Sequence, residues 1–143
     1  MTQKSTLRRE KRQEMAFEVL SRDQITRILG TVTHEKAFFF YEEIGKPAGD
    51  FATSLTDLCS KINTIPSASL SFHLKRGDFE NWTKEAMGDS ELSNRIAKLN
   101  KVKTTWKSDA ILRKKLYATV KDRVTELQDL WRHALTWPEG VVA

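Results

Sequence analysis

The sequence predicts a mainly α protein, a small helical domain with one short β-hairpin and a long C-terminal helix. Three observations carry that prediction. Apolar residues recur at spacings of three and four over most of the chain, the mark of amphipathic helices. One aromatic run, Phe38 to Tyr41, followed by a cluster of turn residues, breaks that rhythm in the way a hairpin does. Finally, 143 residues, 39% hydrophobic and 30% charged, have the size and balance of a single folded domain spanning 1–143.

Residues 1–30 read as basic N-terminal helices. The first runs from Ser5 to Leu20, with Arg8, Arg9, Lys11 and Arg12 early and Met15, Ala16, Val19 and Leu20 on a later apolar face. Ser21-Arg22-Asp23-Gln24 matches a capping box opening the second, which carries Ile25, Ile28 and Leu29 and stops at Gly30. Next, Ala37–Tyr41 has high strand propensity, residues 42–49 are dense in turn formers, and residues 50–53 are expected to return as the second strand. A lone two-stranded hairpin is marginal in water, so its aromatics are expected to turn inward onto the helices. Exposed, they would instead form a base-stacking platform.

Ser54 caps a helix to Ile62 whose Leu55, Leu58, Cys59 and Ile62 share one face. Leu70, Phe72 and Leu74 alternate as a strand would, but Pro66 and Ser67 supply a helix start, and Leu70 and Leu74 with His73 then share a helical side. Asp78, after Gly77, is expected to cap a helix buried through Phe79, Trp82 and Ala86. Gly88 suits the left-handed residue after that helix, and Asp89 or Ser90 caps the next, striped by Leu92, Ile96 and Leu99. The basic linker 101–107, with Trp106 among lysines, leads to the long helix over 108–135, capped by Ser108. Its Leu112, Leu116, Val120, Val124, Leu127 and Trp131 step along one side. At about 25 residues it would span roughly 40 Å, more than a small core needs. Its far end is therefore a candidate dimer or partner surface, in which case an exposed apolar stripe is expected and Leu127→Glu would change the protein's size in solution; the alternative, of equal weight, is a final helix wrapping the core.

Over 37–100, Phe38–Phe40, Ala52-Thr53-Ser54-Leu55, Ile65-Pro66, Phe72-His73, Arg76-Gly77-Asp78-Phe79, Trp82 and Gly88-Asp89 form a set of rare residues at fixed intervals. In this set the segment resembles a family of uncharacterised prokaryotic, largely archaeal, domains. The resemblance implies no activity. Two positions depart from its pattern: Thr83 stands where isoleucine is usual, and Ser93 where alanine is.

Several function classes lose support at this stage. A single Cys59 makes no internal disulfide and no Cys-rich zinc site, and His34, His73 and His133 lack metal-ligand spacing, so no metal or cofactor is expected. Gly45-Lys46 lacks the spaced glycines and following hydroxyl of a phosphate loop. No stretch approaches a membrane span, the basic N-terminal run lacks the apolar core of a signal peptide, and a cytoplasmic protein is expected. Residues 79–99 have the outline of a helix-turn-helix, but Asp89 replaces the usual buried apolar residue, and Glu80, Glu85 and Glu91 have the wrong sign for phosphates.

Two clusters remain. His73, Arg76 and Asp78, with Asn81 nearby, offer a base, an anion-binding group and a carboxylate in one segment, although each residue also has an ordinary packing or capping use there. The charge of +5 sits at the ends: 7 Lys/Arg against 4 Asp/Glu in residues 1–30, and 9 against 5 in residues 101–143, against 8 and 10 between. Arg8, Arg9, Lys11, Arg12, Lys103, Lys107, Arg113, Lys114 and Lys115 are the candidate phosphate contacts. The expected function is a non-catalytic binding or regulatory module acting through helix-mediated contacts with a protein partner or a second copy. Association of the basic ends with DNA or RNA is the alternative, and catalysis at His73 and Asp78 comes third.

Overall fold

The computed structural model describes residues 20–101 and 108–136. All but the last residue of the expected helix over 5–20, linker residues 102–107 and residues 137–143 lie outside that set. The described chain is mainly helical with one antiparallel hairpin. Its elements are α1 (Arg22–Ile28), a 3-10 turn (His34–Lys36), β1 (Phe38–Glu43), β2 (Lys46–Ala52), α2 (Leu55–Ile62), α3 (Ser67–Arg76), α4 (Asp78–Glu85), α5 (Ser90–Lys101) and α6 (Asp109–Thr136). Among the described residues no helix is long and apolar enough to cross a membrane.

Local chemistry sets the helix ends. The Ser21 hydroxyl accepts from Gln24 N–H at 3.1 Å and the Gln24 side chain from Ser21 N–H at 2.7 Å, the capping box read in the sequence. Ser54 Oγ accepts from Asp57 N–H at 3.0 Å to open α2, and Asp89 Oδ1 from Leu92 N–H at 3.2 Å to open α5. Gly88 ends the α4 turn at φ +76°, where a β-carbon is disfavoured. Asp78 behaves differently from the expectation. Gly77, at φ +75°, closes α3 and leads directly into α4 with no side-chain cap, which leaves the Asp78 carboxylate for other partners.

The axis of packing is α6, against which α1, α2, α3 and α5 all lie, while the hairpin rests on α2 and α3. Leu112, Leu116, Val120, Val124 and Leu127 are all buried there, so of the two readings of this helix the core-wrapping one describes its apolar stripe, which the protein's own helices cover. Leu127 is 0% exposed. The helix is long because four shorter helices share it.

Two other expectations change. The strands extend through most of the supposed loop: β1 reaches Glu43 and β2 begins at Lys46, with register shifts around Tyr41 absorbing the turn-forming residues that were read as a loop. Because strand side chains alternate, Phe38 and Phe40 enter the core while Phe39 (40% exposed) and Tyr41 (37%) face out. In α4 the buried face is Phe79 and Thr83, one step round from the expected Trp82 and Ala86. Thr83 is tolerated in the core because its hydroxyl donates to the carbonyls of Phe79 (2.8 Å) and Glu80 (3.1 Å). Ser93 donates to the same Glu80 carbonyl at 2.9 Å.

Candidate functional site

The αL turn at Gly77 folds the last turn of α3 against the first of α4, and this brings His73, Arg76 and Asp78 together as the sequence suggested. His73 Nε2 accepts the Tyr41 backbone N–H at 2.8 Å. That bond requires a lone pair on Nε2, so the proton of the neutral ring is on Nδ1, which donates to Asp78 Oδ2 at 2.8 Å. The same oxygen takes the Arg76 Nε in an ion pair of 3.1 Å, and the guanidinium lies 4.9 Å over the Phe72 ring. A continuous chain, Tyr41 N–H to His73 to Asp78 to Arg76, therefore ties the hairpin to both helices.

His73 is buried, with Phe38 at 4.7 Å and Phe79 at 5.7 Å between ring centroids. Burial holds its pKa below the usual value, and the hydrogen bond and charge of Asp78 only partly offset this. In the unfolded chain His73 titrates near the ordinary histidine value of 6.5, so as pH falls below that point the unfolded state takes up a proton that the native ring resists. Stability from this residue is full above pH 6.5 and declines as pH drops toward the lower native value. Urea unfolding from pH 7.5 to 5 should therefore show the wild type losing more stability than His73→Gln; parallel losses would contradict the assignment.

Beside this chain lies a cleft of about 550 Å³ between the hairpin and α4. One wall is Phe39, Tyr41 and Ile44; the other is the α4 face made by Asp78, Asn81, Trp82 and Glu85, at spacings of three, one and three. Trp82 donates its indole N–H to the Lys36 carbonyl at 2.7 Å, which fixes the ring at the rim. On the outer hairpin surface His34, Phe39 and Phe51 form a second ring cluster, with centroids 4.9–5.7 Å apart.

Of the nine candidate phosphate contacts, Arg113, Lys114 and Lys115 are among the described residues. Arg113 donates to the Ile62 carbonyl at 2.7 Å, capping α2, while Lys114 and Lys115 are exposed. Arg8, Arg9, Lys11, Arg12, Lys103 and Lys107 lie outside the described residues. Arg123 and Asp89 form a buried ion pair. Cys59 sits under α6 next to Tyr117 and Lys121, and burial pushes its thiol above the ordinary value against the pull of both, the reverse of a reactive thiolate. Among the described residues no three His, Cys, Asp or Glu side chains converge to hold a metal ion.

Ile44, Phe72 and Glu85 were missed as site residues, and Phe39 and Tyr41 were weighed only within a base-stacking platform. Strand alternation marked Phe39 and Tyr41 as pointing opposite to Phe38 and Phe40, and the 78/81/82/85 spacing marked one face of α4. That these two surfaces oppose each other is a property of the fold. No protein-family model, curated protein or solved structure matches the chain.

Proposed function

We propose that this chain is a non-catalytic binding module whose ligand enters the cleft between β1 and α4. The observation that carries this reading is the commitment of both His73 nitrogens to Tyr41 N–H and Asp78, which turns the most enzyme-like residues into a brace for the cleft walls. A general base needs a free lone pair directed at substrate, and Nε2 has given its own to the backbone. Aromatic walls with a few converging polar groups are what ligand sites are made of. Contacts through the terminal helix lose their support, because its apolar stripe is buried. Phosphate backbones fit the cleft poorly, since Asp78 and Glu85 stand beside Arg76. A lone buried thiol suits a reducing, cytoplasmic setting.

A fragment screen read by amide chemical shifts tests the reading. Hits should move Tyr41, Asn81, Trp82 and Glu85 together, and Trp82→Phe should weaken them by about 1 kcal/mol or more, as expected at a central aromatic contact. Hits scattered over the surface, or gathered along α6, would rule the cleft out.

A further inference from the structure

We infer that the ligand of this cleft is a neutral sugar chain, seated with a pyranose ring against Trp82 and Tyr41; this rests on the binding reading above. Charge is the first discriminator. Arg76 is already neutralised by Asp78, so the uncommitted charge of the cleft is the Glu85 carboxylate, which repels an anion; a cation is the competing ligand that the charged probe below tests. A purely apolar ligand fails for a different reason. The terminal nitrogens of Arg76, the Asn81 amide, the Glu85 carboxylate and the Tyr41 hydroxyl have no partner among the described residues, and a hydrocarbon laid over them would strip their water without replacing it.

A sugar meets both conditions. Each hydroxyl donates and accepts at once, so neighbouring hydroxyls can bridge a donor such as Arg76 and an acceptor such as Glu85. The axial C–H groups of a pyranose form an apolar, slightly positive face suited to the negative face of an aromatic ring. The required planar groups are held in advance: Arg76 is fixed by Asp78 on its edge and by Phe72 beneath, and Trp82 by Lys36. The volume of about 550 Å³ lies inside the usual range for small-ligand sites and exceeds the needs of one ring, so an oligosaccharide is the fitting size.

The test uses the full-length protein on an array of neutral glycans. Amide-shift titrations follow with the array's best binder, or with maltotriose, cellotriose and chitotriose if none stands out, and with arginine amide and inorganic phosphate as charged probes. The expected result is a neutral glycan that shifts Tyr41, Asn81, Trp82 and Glu85. Its affinity should fall about tenfold in Asn81→Ala and in Glu85→Gln, exposed changes that leave the fold intact. If a charged probe shifts those amides and no glycan does, the sugar assignment is overturned while the binding cleft stands. If a glycan binds but moves other residues, or no glycan binds at tens of millimolar, the assignment is likewise overturned. A fragment screen that also avoids the cleft removes the binding reading with it.

Discussion

Arg123→Ala is expected to cost about 3–5 kcal/mol of folding free energy, the loss typical when one partner of a buried ion pair is removed. Arg123 is 2% exposed and Asp89 1%, although one lies in the middle of α6 and the other in the turn before α5. The guanidinium donates through Nε to Asp89 Oδ2 and through Nη2 to Oδ1, both at 2.9 Å, while Nη1 reaches Glu126 at 2.6 Å. Removing it leaves a buried carboxylate whose remaining support is the Leu92 N–H. Lysine should rescue little, because it lacks the planar fork. Arg132→Ala is the matched control: its pair with Asp129 is exposed, and its loss should stay within about 1 kcal/mol. Urea unfolding followed by circular dichroism separates the two, and equal losses would mean that the buried pair contributes no more than a surface one.

Leu127→Glu should also destabilise strongly, by about 4 kcal/mol or more, since it combines loss of a buried leucine with burial of an ionisable group. The spacing of α6 alone left two outcomes open, this one and a change in assembly with the fold preserved. Light scattering beside thermal unfolding distinguishes them. A stable variant of altered size would restore the exposed stripe; a large drop in melting temperature at unchanged native mass agrees with the packing seen here.

These two residues show where a sequence is readable. Periodicity identified which residues of α6 are apolar and on one side, because that depends only on neighbours within two turns. What covers that side depends on α1, α2, α3 and α5, whose positions no local spacing encodes. The same limit hid the Asp89–Arg123 pair, whose partners are 34 residues apart. Caps were legible for the opposite reason: Ser21, Ser54 and Asp89 bond to amides three residues on. His73, Arg76 and Asp78 were found because one turn brings them together, although their use was not evident. The Tyr41 amide that occupies His73 Nε2 is 32 residues upstream and leaves no mark on the sequence around His73.

The position of α6 in the chain bears on how the protein is made. Among the described residues every helix that packs on it precedes it in sequence, so during synthesis those helices leave the ribosome before the surface that buries them exists. Local elements, the α4–α5 pair and the hairpin, can form early, but their apolar faces stay open to solvent and to chaperones until residues through Leu127 have emerged. Folding of this helical unit thereby waits on the synthesis of α6, and chains stalled before it should be held by the quality-control machinery as an unfinished intermediate.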